Sequence, residues 1–82
     1  MYLKWTVFKN YCKAKNIQLL RDDLRFIERV LTKTTVNEHR FILKEFADIW
    51  LHELEKSSQN QNLARRIANK WLLERCNVKK AL

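Results

Sequence analysis

The sequence predicts an all-α chain: a compact four-helix domain with short loops and mostly antiparallel neighbours. Three observations lead there. The 82 residues include no glycine, the usual supplier of the positive φ that tight strand-to-strand turns need. They include no proline, so nothing interrupts a helix interior. Apolar residues recur at helical spacing in four separate stretches. The length fits one domain over residues 1–82. A hydrophobic content of 46% is enough to build a core rather than a disordered chain.

The first segment covers about Tyr2–Lys15. Trp5, Phe8 and Cys12 form one apolar stripe, and Leu3, Val7, Tyr11 and Ala14 form a second. A helix with two such stripes is either enclosed or lends one of them to another chain. Asn16 and Ile17 follow. In a chain without glycine, asparagine is the next best residue for the left-handed position that ends a helix. The pattern predicts a Schellman motif pairing Ile17 with Cys12.

The second segment runs about Leu20–Lys33, with Leu20, Leu24, Phe26, Ile27, Val30 and Leu31 apolar. Asp22 and Asp23 sit in its first turn, where they complement the helix dipole. "LTKTTVNE" then breaks the period with β-branched residues. Thr35 and Glu38 form a capping-box pair that starts a third helix, running to about Lys56. Ile42, Leu43, Phe46, Ala47, Ile49, Trp50 and Leu54 give it a broad apolar face, opposite Glu45, Asp48, His52 and Glu55. "SSQNQ" is a short connector. Either Asn60 or Asn62 can cap the fourth helix, whose buried side is Leu63, Ala64, Ile67, Ala68, Trp71 and Leu72. A second Schellman motif is expected at Asn77, pairing Val78 with Leu73.

The net charge is +8, which favours polyanionic partners. Residues 1–19 carry four cations and no acid, and residues 57–82 carry six cations and one acid. The third helix, with five acids and three cations over residues 34–56, is net acidic. If the first and last helices are neighbours, the two basic ends pool into one patch.

Contact with DNA or RNA phosphates is therefore expected through Lys9, Lys13, Arg65, Arg66, Lys70, Lys79 and Lys80. Arg65, Arg66 and Asn69 are expected to project away from Ile67 and Trp71. Arginine can pair with guanine and asparagine with adenine in a major groove. Arg21, Arg25, Arg29 and Lys33 recur every fourth residue, a ridge roughly 18 Å long at helical rise. Each feature has a plainer explanation as a solvated helix face, since exposed positions need polar residues anyway. A helix-turn-helix made from the third and fourth helices is a weaker reading, because the connector lacks the usual glycine.

The alternative function is a protein–protein module or homodimeric adaptor using Leu3, Val7 and Tyr11. The three tryptophans are expected in the core. The two cysteines, at opposite ends of the chain, are expected to be reduced and mostly buried in a cytoplasmic protein. Gly-rich phosphate loops are excluded. No Cys/His spacing matches a zinc site. No metal, cofactor, catalytic site or membrane partner is expected, and no apolar run is long enough to span a bilayer.

Overall fold

The computed structural model describes residues 5–77, with side chains from 6 to 76. Four helices follow one another: α1 (Trp5–Ala14), α2 (Arg21–Leu31), α3 (Val36–Lys56) and α4 (Gln61–Asn77). Among the described residues there is no strand.

The helix ends use the polar residues that the missing glycines make necessary. Asn16 sits at φ 62° and ends α1. The Ile17 N–H donates to Cys12 O at 2.8 Å and the Asn16 N–H to Lys13 O at 3.2 Å. These are the two bonds of a Schellman motif. Ile17 and Cys12 are both buried, as the sequence predicts. The longer bond of that motif recurs where α3 ends at Ser58, with φ 55° and a Gln59 N–H to Leu54 O bond of 2.8 Å.

At the start of α3, Glu38 accepts from the Thr35 N–H and hydroxyl at 3.3 and 3.1 Å. Asn60 caps α4, its side-chain oxygen accepting from the Leu63 N–H at 3.1 Å. The expected motif at Asn77 is not formed. Asn77 is itself helical, and Leu73 is exposed. Val78 lies outside the described residues.

The threonine run "TKTT" closes α2 through side-chain hydroxyls. Thr32 donates to Arg29 O at 2.6 Å, and Thr34 to Leu31 O at 3.0 Å. His39 reinforces this from α3. It is buried, and its Nε2 lies 2.9 Å from Leu31 O. A carbonyl oxygen only accepts, so Nε2 carries the proton.

The most extensive packing joins α3 to α4; α2 packs on α4, and α1 on α3. Trp50 near the end of α3 meets Gln61 at the start of α4, while Glu38 and Cys76 are neighbours at the other end. The two helices therefore form an antiparallel hairpin along most of their length. This is unlike the steep crossing of a helix-turn-helix. Asp23 meets Arg65, and Lys33 lies near Cys76, so α2 runs in the same sense as α4.

Ala64, Ala68, Leu72 and Cys76, four residues apart, form one buried line on α4. They meet Ile42, Leu43, Phe46, Ala47, Trp50 and Leu54 of α3 in the core cluster. Phe8 carries α1 into this core, its ring 6.3 Å from that of Phe46. Trp50 is fully buried and Trp71 half-buried. The Trp5 side chain lies outside the described residues. The second stripe of α1 faces outward: Val7 is 66% exposed and Tyr11 36%. Leu3 is outside the described residues.

Both cysteines are free and buried. Burial pushes the Cys12 thiol up from 9.0 to about 12. It also raises Cys76, against the partly offsetting charges of Arg75 and Lys33.

Two predictions follow from these features. Replacing Asn16 with Val forces a β-branched side chain into the left-handed region and should lower stability by about 1–2 kcal/mol. Asn16→Gly should not do so, and denaturant titration compares the two. The second prediction concerns pH. The folded chain holds the Cys12 proton more tightly than the unfolded chain, so this contribution to stability is intact below pH 9.0 and is lost as pH rises toward about 12. Against Cys12→Ala, the wild-type chain should lose about 1.4 kcal/mol more per pH unit in that window.

Candidate polyanion-binding surface

α2 carries its cations on the side away from the core. Ile27, Val30 and Leu31 are buried, while Arg21, Arg25 and Arg29 are exposed, as is Lys33 in the turn just after the helix. Arg21, Arg25 and Arg29 have no carboxylate within 4.0 Å among the described residues. Asp22 and Glu28 lie on the same helix and are exposed, yet form no ion pair there. On the adjacent α4, Arg66 and Lys70 are exposed at i,i+4 spacing. Lys9 and Lys13 are exposed on α1. They line a cleft shared with Leu24 of α2. Pooling with α4 was the expectation; the helix that α1 packs on is α3. Lys79 and Lys80 lie outside the described residues.

Arg65 and Asn69 depart from expectation. Both are half-buried and turn toward α2 instead of projecting outward. Arg65 Nε donates to Asp23 Oδ2 at 2.6 Å, with side chains 17% and 5% exposed respectively. Arg65 Nη1 donates to Asn62 Oδ1 at 2.7 Å, and Nη2 to Gln18 O at 2.8 Å. The guanidinium carbon lies 5.3 Å from the centre of the Trp50 ring, within cation–π range. Asn69 Nδ2 donates to Asp23 Oδ1 at 3.3 Å. The Leu20 N–H completes the Asp23 carboxylate at 2.9 Å and caps the start of α2. The two side chains best suited to reading base edges are thus engaged inside the protein.

Beside this pair lies a second clasp, which sequence reasoning missed. Gln61 Oε1 accepts from Trp50 Nε1 at 2.9 Å and from the Gln18 N–H at 3.2 Å. Its Nε2 donates to Asn16 O at 2.9 Å. The sequence held one hint: a buried indole N–H requires an acceptor. Nothing in the sequence says that a residue of the polar connector supplies it.

Among the described residues, no three His, Cys, Asp or Glu side chains are grouped to hold a metal ion, and no helix is long and apolar enough to cross a membrane. Comparison with known protein families, curated proteins and solved structures finds no match.

Breaking a buried ion pair from one side leaves the other charge uncompensated. Arg65→Met should therefore cost about 3–5 kcal/mol. The double variant Arg65→Met/Asp23→Leu should recover part of that loss, as measured by chemical denaturation of the two single variants and the double.

Proposed function

We propose that this chain is a small basic binding protein that holds nucleic acid by its phosphates, without reading sequence, in an accessory or regulatory role. One observation carries the proposal: Arg21, Arg25 and Arg29 form an exposed row along α2 with no carboxylate within 4.0 Å among the described residues, and further exposed cations stand on α1 and α4. Sequence-independent binding is the consistent form of this reading, because Arg65 and Asn69 are committed to Asp23. Phosphate contacts position a protein on nucleic acid, and base-edge contacts specify where it binds.

Anisotropy titrations with duplex and single-stranded oligonucleotides test this. Binding should be independent of base sequence and should weaken steeply with salt, as counterions released by the protein's cations are repaid. The triple substitution Arg21→Ala/Arg25→Ala/Arg29→Ala should flatten the log K against log salt slope on duplex by about 2–3, near 0.9 per lost contact. Absence of binding at low salt would sink the reading.

A second reading, a protein–protein module, is favoured by the outward stripe of α1, where Val7 is 66% exposed. Sedimentation tests it. Association weakened by Val7→Glu would support this reading, and a strict monomer over a wide concentration range would remove it.

A further inference from the structure

The loop between α1 and α2 is held from behind more firmly than a short connector needs. Three bonds fix residues 16–18 to α4: Gln61 Nε2 to Asn16 O, the Gln18 N–H to Gln61 Oε1, and Arg65 Nη2 to Gln18 O. Asn16 adds a fixed left-handed backbone. On its other side the same loop walls a cleft of about 330 Å³. This falls within the range of small-ligand sites, roughly 300–1,000 Å³.

Three chemistries line the cleft. Lys9 and Lys13 stand on one rim, four residues apart on α1. Cys12, Ile17, Leu19 and Leu24 give an apolar floor. Asn16 and Gln18 complete the wall; both are exposed residues with side-chain amides. The Cys12 thiol is only 1% exposed and stays protonated, so it serves as floor.

We infer that this cleft seats one unpaired nucleotide of a bound strand. Two ammonium groups match a phosphate, an aliphatic floor matches the sugar and the flat of a base, and side-chain amides match base edges. The location supports this occupant over a free anion. Leu24, which lines the cleft, is followed by the exposed Arg25 and stands three residues after the exposed Arg21, so the cleft reaches the first turn of α2, where neighbouring phosphates of the same strand would find cations. A base paired within a duplex is not free to enter, so the site selects single strands, loops or frayed ends. Among the described residues no aromatic side chain lines the cleft, so stacking from them does not sort one base from another. The inference rests on the phosphate-binding reading above and adds the strandedness of the partner.

The test is amide-shift mapping by NMR on the full chain. Three probes are compared: a short single-stranded oligonucleotide, the same strand with a central abasic site, and the matching duplex. The inference expects shifts at Asn16–Leu19 with the intact strand and weaker ones with the abasic strand and the duplex. Lys9→Gln/Lys13→Gln should lower single-strand affinity several-fold while changing duplex affinity less. Gln18→Ala keeps the backbone bonds and should weaken the intact strand but not the abasic one. Shifts confined to α2 and α4, with equal affinity for all three probes, would overturn the cleft and leave phosphate binding standing. No binding by any probe would overturn both. Stronger shifts at Asn16–Leu19 from an acidic amphipathic peptide than from the strand would overturn the nucleotide in favour of a protein occupant.

Discussion

The guanidinium of Arg65 is where the parts of this protein meet. One nitrogen reaches Asp23 on α2, another reaches the backbone of the loop before α2, a third stays on α4, and the planar face lies over Trp50 of α3. Only a rigid planar fork with several donors can serve so many directions at once. Lysine would bring one point charge and would stack less well. Burying the pair has a cost, since each ion loses its water. The surrounding groups offset it. Asp23 accepts from the Leu20 N–H, Arg65 and Asn69, so the carboxylate exchanges water for three donors. The same pair sets the alignment of α2 on α4, which apolar contacts between a short amphipathic helix and an alanine-lined one would specify poorly.

Much of the scaffold was legible in the sequence because it depends on local rules. The Thr35–Glu38 pair, the cap at Asn60 and the left-handed turn at Asn16 each involve residues within a few positions of one another. The hydrophobic period placed Phe46, Trp50, Ala68 and Leu72 correctly for the same reason. What was not legible is the direction in which a polar side chain turns at the edge of the apolar face. Arg65 and Arg66 are adjacent in sequence and chemically identical, yet one is committed to Asp23 and the other is exposed. The difference lies in the carboxylate of Asp23, forty-two positions away from Arg65. His39 is a similar case: its value comes from a carbonyl at the end of the preceding helix, which helix periodicity does not reveal.

The absence of glycine shapes the structure as much as any single contact. Among the described residues three, Asn16, Ser58 and Gln59, hold positive φ. Each bears a steric cost that glycine would avoid, and the surroundings must over-determine it. At Asn16 they do, because Gln61 takes its carbonyl and the buried Ile17 follows it. At Ser58 the constraint is the two-sided grip of Ser57, whose hydroxyl donates to Glu53 O and accepts from the Asn60 N–H. Polar side chains thus replace the freedom of glycine with fixed bonds, leaving connectors of defined shape. The rigid wall of the α1–α2 cleft is one result.

The charge pattern makes sense only when the inner and outer cations are treated separately. The surface carboxylates of α3 pair locally, Asp48 with Lys44 and Glu53 with Lys56, and among the described residues none pairs with Arg21, Arg25 or Arg29. Asp23 is inside with Arg65, while Glu45, Asp48 and Glu55 lie on the outer side of α3. The α2 row keeps like charges at four-residue spacing, where they repel by a few tenths of a kcal/mol per pair. An exposed face needs polarity but has no need of one sign. Alternating signs would have met the same requirement while adding favourable pairs. The three arginines of α2, which have no such pair among the described residues, are least costly when something else supplies the negative charge, whether dissolved salt or a polyanion laid along the helix. Between those two the difference is entropic. Salt ions must be gathered from solution, whereas a strand brings its phosphates already linked and frees its own counterions on arrival.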